Sequence, residues 1–174
     1  MPSRKTNSQN AVHSRILFDV LAAIGHPATL TDLKNVLLLL GHGDFEVFSR
    51  MSNGEIGALL EPLFASGDLL QSSSDTLRTR PISSEELRGI LSRPEYAILP
   101  EAVSRALPSV GTHGETNGEN LQRDIRNAFF SANTAFLNQV LVTMRDSFPK
   151  EYNRSNYFDF LFQEDEEWKP MLLS

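Results

Sequence analysis

Hydrophobic residues recur at intervals of three and four along the first part of the chain, which is the spacing of amphipathic helices. This pattern predicts one helix over about 11–24 and a second that runs through Leu40, with Thr29 or Thr31 as its cap. A capping box of Ser52 and Glu55 predicts a third helix to about Ser66. The buried stripe of the first helix is expected to contain Val12, Ile16, Leu17, Val20 and Ile24.

Proline and glycine mark the ends and the weak points of these helices. Pro62 lies inside the third helix, and we expect it to bend that helix or to split off its last turn. Glycines at 41 and 43 interrupt the pattern after the second helix, and Phe45 and Phe48 indicate a short helical turn there. Two short alternating segments around 69–71 and 76–80 flank a serine-rich turn and predict a small β-hairpin.

The second half of the chain is punctuated by prolines and is again helical. A capping box at Ser83 and Glu86 predicts a short helix to about Leu91, and another is predicted over 101–107. Residues 110–118 are rich in glycine and turn formers, which is typical of a linker. Two antiparallel helices are then expected over 119–131 and 134–147, or one long bent helix instead.

These elements define a mainly α fold that includes a small β-hairpin and ends in a helical hairpin. Phe129 and Phe136 fall on one apolar stripe, so we expect both to pack inside the helical hairpin. The predicted organisation is a flexible basic arm over 1–10, a first domain over 11–80, a connector over 81–118, and the helical hairpin with an acidic aromatic tail over 119–174.

Three helices followed by a β-hairpin is the element order of a winged-helix domain. Residues 11–80 resemble the winged-helix (helix-turn-helix) superfamily in helix order, in spacing, and in the leucines, glycine and strand that follow the third helix. The segment 41–51 departs from the resemblance, because it is longer than the tight turn of a typical DNA-binding member. The resemblance implies either a third helix that enters the major groove or a module that docks onto proteins.

Composition removes several classes of function. The chain contains no cysteine, which excludes disulfides, thiol catalysis and cysteine-built metal sites. Its 16 basic and 22 acidic residues give a net charge of −6, so no long-range field attracts it to phosphate backbones. The longest apolar run, 36–40, is too short to cross a bilayer, and the polar amino terminus does not resemble a signal peptide. We expect a cytoplasmic protein with no membrane partner.

Sequence motifs for catalysis and cofactor binding are also missing. No phosphate-binding loop, dinucleotide fingerprint or nucleophile elbow occurs. The four histidines lack metal-ligand spacing, and the acidic run at 164–167 lacks the pattern of a calcium loop. We therefore predict that the protein is not an enzyme on its own and that it has no cofactor and no metal site.

The outer face of the third helix is the sharpest candidate for a binding site. It is predicted to present small and acidic residues and no lysine or arginine: Asn53, Glu55, Gly57, Ala58 and Glu61. Glutamates repel phosphate, while small residues permit close approach by another element of structure. We interpret the protein as an adaptor or regulatory module that docks onto a larger protein.

The alternative is a DNA-binding regulator that uses the hairpin and the basic amino-terminal arm. Five basic residues are its candidate contacts: Arg4, Lys5, Arg15, Arg78 and Arg80. Such binding is expected to be weak and sensitive to salt, and ordinary solvated charge is the favoured explanation of these residues.

The acidic carboxy-terminal segment is a second candidate for docking. Residues 146–174 hold three bases and seven acids together with a high density of aromatic side chains. We expect Tyr157, Phe160 and Trp168 to contribute to docking. Trp168 is expected to lie at the surface until a partner or a continuation of the chain covers it.

Overall fold

The computed structural model describes residues 4–41, 43–73 and 75–153 of the chain. The described residues are mainly helical with a small antiparallel sheet, which confirms the predicted fold class. The chain divides into two compact units, Met1–Ile82 and Ser83–Ser174.

The first unit contains three helices and three short strands. In chain order these are α1 (Arg4–Ile24), β1 (Ala28–Thr29), α2 (Leu30–Leu40), a 3₁₀ helix (Gly43–Arg50), α3 (Asn53–Ser66), β2 (Leu69–Gln71) and β3 (Thr76–Thr79). The sheet order is β1-β3-β2, with both pairs antiparallel and with Ala28 opposite Leu77 and Leu70 opposite Arg78. Strand β1 was not predicted, because two residues carry no readable alternation.

Helix α1 is the centre of the first unit. Every residue from 16 to 24 is buried, including the carboxylate residue Asp19. Val12 was expected in the buried stripe, and this prediction is wrong, because Val12 is 56% exposed. Continuous burial of α1 begins only at Ile16, after the isolated buried Ser14, and the helix extends beyond the core to Arg4. Residues 4–10 of the predicted arm are therefore helical.

The boundaries of α2 and α3 follow the predicted caps. Thr29 and Asp32 form a capping box at α2, and Ser52 and Glu55 form one at α3. Gly67 ends α3 with a φ of 83°, in the left-handed region that favours glycine. Helix α3 continues through Pro62 to Ser66, so the expected separation of its last turn does not occur.

The second unit is built from helices. They are α4 (Ser84–Leu91), a 3₁₀ turn (Pro94–Tyr96), α5 (Leu99–Ala106), α6 (Gly118–Ser131), α7 (Thr134–Ser147) and α8 (Pro149–Asn153). Helices α4 and α5 both pack on α6, although the sequence analysis placed them in a connector. The packing follows from their apolar faces, which bury residues such as Ile90, Leu99 and Val103.

Helices α6 and α7 form the predicted hairpin, and the alternative of one bent helix is wrong. Ala132 ends α6 with a φ of 56°, and the Asn133 side chain caps α7 by accepting a hydrogen bond from the amide of Phe136 at 2.9 Å. Phe136 is buried, as expected. Phe129 is 36% exposed, so its predicted burial is wrong, and its neighbour Phe130 is buried instead.

These two phenylalanines give a matched test of the hairpin core. Phe136→Ala should lower the free energy of unfolding by about 3–5 kcal/mol, because it removes a buried aromatic side chain. Phe129→Ala removes the same atoms from a partly exposed position and should cost clearly less. Urea denaturation of both variants checks this, and equal costs would contradict the assignment of the core.

Candidate functional site: the exposed face of α3

The amino-terminal turn of α3 fixes the position of Glu55. The Ser52 hydroxyl accepts a hydrogen bond from the amide of Glu55 at 3.2 Å, and Glu55 Oε1 accepts one from the amide of Ser52 at 3.3 Å. The Ser52 hydroxyl also donates to the same Oε1 at 3.1 Å. Negative charge is favourable at this end of a helix, so the carboxylate is held there by geometry and by the helix dipole.

The predicted outer face of α3 faces away from the core of its unit. Ile56, Leu59 and Leu60 are buried on the inner side of the helix. The outer residues Asn53, Glu55, Ala58 and Glu61 are exposed, and Gly57 is half-buried. The structure thus brings the predicted partner-binding residues together on one accessible surface, which we call the α3 face.

One cation reaches the α3 face from another helix. Lys34 of α2 donates from Nζ to the Oδ1 atom of Asn53 at 2.7 Å. The contact of Lys34 with this face could not be predicted from the sequence, because 19 positions separate the two residues and no local pattern links them. The contact occupies the amide oxygen of Asn53, so Glu55 and Glu61 dominate the charge of the rest of the face.

An open pocket lies between α1 and α3, directly beside the α3 face. Its volume is about 280 Å³, and its walls include Asn10, Met51, Glu55, Ala58 and Pro62. The hydroxyl of Ser14 donates to the carbonyl oxygen of Leu59 at 2.7 Å beneath it, which ties α1 to α3. Periodicity did not predict this pocket, because it depends on how two helices cross.

Two of the basic residues proposed for nucleic-acid contact bind carboxylates of the same unit. Arg15 Nε lies 3.1 Å from Asp19 Oδ1, and Arg80 Nε lies 2.9 Å from Asp68 Oδ1. Both guanidinium groups lie over the buried Phe18 ring, at 4.7 Å and 5.3 Å from its centre. The two cations and two anions balance, so this cluster stabilises the unit more than it attracts phosphate.

The hydrogen bond from Arg80 lowers the pKa of Asp68, with a smaller contribution in the same direction from the Ser66 hydroxyl. A pKa below that of the unfolded chain means that this contribution to stability is present above the unfolded pKa and is lost as the pH falls through the folded pKa. Asp68 therefore remains ionised at neutral pH and keeps Arg80 in place.

The other predicted contact residues are placed as follows. Arg78 is exposed on β3, next to the buried Leu77. Arg4 and Lys5 belong to the first turn of α1. Tyr157, Phe160 and Trp168 lie outside the described residues, so the prediction of docking at that end stays a prediction.

A buried polar network in the second unit was not predicted at all. Arg123 donates from Nε and Nη2 to Asp124 Oδ1 at 3.0 Å and 2.8 Å, and both side chains are only 2% exposed. Arg123 Nη2 also donates to the carbonyl of Leu107 at 2.6 Å, and Ser104 donates to Asp124 Oδ2 at 2.8 Å. Charged residues on a helix usually lie on its solvent-exposed face, so the sequence offered no reason to expect that Arg123 and Asp124 are buried.

This network joins the end of α5 to α6 and has the features of a structural element. Burial raises the pKa of Asp124, and the charge and hydrogen bonds of Arg123, with the hydroxyl of Ser104, act against that shift. Every polar group named here is paired within the unit. The network therefore holds α5 against α6, and its polar groups are not available to a ligand.

The described residues contain no cluster of three side chains suited to hold a metal ion. Within the same ranges, no helix has the length and apolar content that a membrane crossing requires. Comparison of the chain with protein-family models, with curated proteins and with solved structures finds no match.

Two Arg–Asp pairs allow a matched test of the buried network. Asp124→Ala should lower the free energy of unfolding by about 3–5 kcal/mol, because Arg123 is left charged and buried without its partner. Asp146→Ala breaks an adjacent pair with the same 3.0 Å Nε–Oδ1 distance at the surface, and it should leave stability within error of the parent. Chemical denaturation measures both, and equal losses would contradict a structural role that depends on burial.

Proposed function

We propose that the protein is a non-catalytic adaptor or regulatory module, and that its first unit docks onto a protein partner through the α3 face. In this proposal residues 11–80 are a winged-helix-like domain that serves protein docking. The order of three helices followed by a β-hairpin, with β3 central in a small antiparallel sheet, supports that resemblance.

The observation that carries the proposal is the α3 face itself. Its exposed glutamates oppose binding to phosphate, while Ala58 and Gly57 leave its surface low enough for a second protein to approach closely. The pocket beside it provides a concave feature into which a partner side chain can insert. A convex, acidic surface with an adjoining pocket suits protein recognition better than the groove of a duplex.

The second unit offers further surface for docking. Phe129 and Val142 are exposed apolar residues on the two helices of the hairpin, at 36% and 46% exposure. Exposed apolar side chains are common singly on protein surfaces, so they support the proposal only as a complement to the α3 face.

A size substitution at the centre of the α3 face tests the docking function. Ala58→Gln adds a longer neutral side chain to an exposed helical position and should abolish capture of the partner without unfolding the domain. Ala135→Gln makes the same change at an exposed position of α7 and is the control. The three proteins are used as baits in the cells that produce the chain, and bound proteins are quantified by mass spectrometry.

The expected result is at least one protein that the parent and Ala135→Gln retain and Ala58→Gln loses. Circular dichroism must show equal helicity for the three baits. If the bound proteins do not differ between Ala58→Gln and the control, docking through the α3 face is wrong.

Nucleic-acid binding is the second candidate, and the exposure of Arg78 on the hairpin favours it. Binding to a random duplex should be weak at physiological salt, and Arg78→Ala should weaken it further. Glu61→Lys should strengthen it, because it replaces repulsion of phosphate with attraction. Fluorescence anisotropy over a salt series measures these changes, and tight, sequence-specific binding that Asn53→Ala abolishes would reverse the ranking of the two functions.

A further inference from the structure

The pocket between α1 and α3 has a size that suits one side chain. Its volume of about 280 Å³ lies just below the range of roughly 300–1,000 Å³ that is usual for drug-sized ligands and cofactors. It is open to solvent at the α3 face, so a residue on the surface of a docked protein can enter it. The pocket therefore suits a single amino-acid side chain better than a cofactor.

The walls of the pocket combine an apolar surface with hydrogen-bond acceptors. Met51, Leu59 and Pro62 provide apolar contact. Glu55 is the one ionisable residue of the lining, and it supplies a carboxylate. An apolar wall that ends at a carboxylate is the complement of a long side chain with an aliphatic stem and a cationic head.

The carboxylate of Glu55 is oriented for such a ligand before any ligand binds. Its Oε1 atom accepts both hydrogen bonds from Ser52 in the cap of α3. Within the described part of the chain, no hydrogen bond to Oε2 is formed, so this second oxygen can accept from a ligand. The cap therefore fixes the group without consuming its binding capacity.

Pro62 removes one donor from the hydrogen-bond ladder of α3 beside the pocket. Proline has no amide hydrogen, so Pro62 cannot donate the usual helical hydrogen bond to the carbonyl of Ala58. Ala58 and Pro62 both line the pocket. Asn10 of α1 also lines the pocket, and its side-chain amide can accept or donate a hydrogen bond.

We propose that this pocket binds an arginine side chain presented by the protein partner. This inference rests on the proposed docking function and names the chemistry of the contact. The guanidinium group has five donors and no acceptor, which matches the carboxylate of Glu55 in the lining. It is also more weakly hydrated than the lysine ammonium group, so it enters a partly apolar pocket more readily.

The charge of the surroundings favours the same partner. Glu61 lies about one and two-thirds helical turns beyond Glu55 on the exposed side of α3. Lys34 is bonded to Asn53 in the same first turn of α3 as Glu55, but on the opposite flank of the helix. A partner segment that is basic at the pocket is attracted, while an acidic segment or a phosphate is repelled.

The test uses N-acetyl-arginine methylamide as the probe and the full chain labelled with ¹⁵N. Titration followed by amide shifts should show saturable binding in the millimolar range, centred on Glu55, Ala58 and Leu59. N-acetyl-citrulline methylamide has nearly the same shape without the charge and should give no saturable shifts. N-acetyl-lysine methylamide should bind more weakly than the arginine probe.

Two variants distinguish binding in the pocket from attraction by the general charge of the surface. Glu55→Gln removes the charge but keeps an oxygen that can serve the capping box, so α3 should remain folded while the arginine probe loses at least tenfold in affinity. Asp44→Asn removes one charge from an exposed position of the same unit outside the pocket lining and should change the affinity less than twofold. Salt should weaken binding to the parent.

Equal binding of arginine and citrulline would overturn the inference, and so would unchanged affinity in Glu55→Gln. Equal losses in the two variants would overturn it as well, because the probe would then report surface charge only. A lysine probe that binds as tightly as arginine would overturn the assignment to a guanidinium group. If the probe fails while Ala58→Gln still loses its partner, docking through the α3 face stands and only the arginine contact is wrong.

Discussion

A helix that is mostly enclosed by its neighbours has to bury polar side chains, and this constraint shapes both units. Helix α1 is surrounded along its last nine residues and buries Asp19. Helix α6 buries Asn120, Arg123, Asp124 and Asn127 together with its apolar stripe. Unpaired, such groups would be costly in a low-dielectric interior, so each enclosed helix supplies an arginine beside its buried aspartate.

The same pairing decides which charges remain for function. Arg15 and Arg80 are held by Asp19, Asp68 and the Phe18 ring, and they orient α1 against the end of β3. These pairs neutralise two of the unit's cations, while Glu55 and Glu61 stay exposed on α3. The electrostatic character of the α3 face is thus partly a consequence of how the core of the unit is closed.

Local signals in the sequence predicted the helices and the β-hairpin well, but they could not predict the contacts between these elements. The caps at Thr29, Ser52 and Ser83 and the turn at Asn133 depend on neighbouring residues, and they fixed helix boundaries to within one or two positions. Val12 and Phe129 were misplaced because a single stripe does not show where packing stops or which flank of a helix a neighbour covers. The outer residues of α3 were predicted as a set, whereas Lys34 and the pocket depend on tertiary contacts over tens of residues.

The α3 face shows how one residue can serve folding and recognition together. Glu55 stabilises the start of α3 through one carboxylate oxygen, and the same contact holds the other oxygen at the edge of the pocket. Pro62 weakens the hydrogen-bond ladder of α3 at the carbonyl of Ala58, yet the helix continues to Ser66 because its inner side is packed against the core. The cap at the terminus thereby places a carboxylate beside an apolar wall. An arrangement that is already in place before binding requires little reorganisation, so a flexible cationic side chain from a partner meets a surface that loses little entropy on contact.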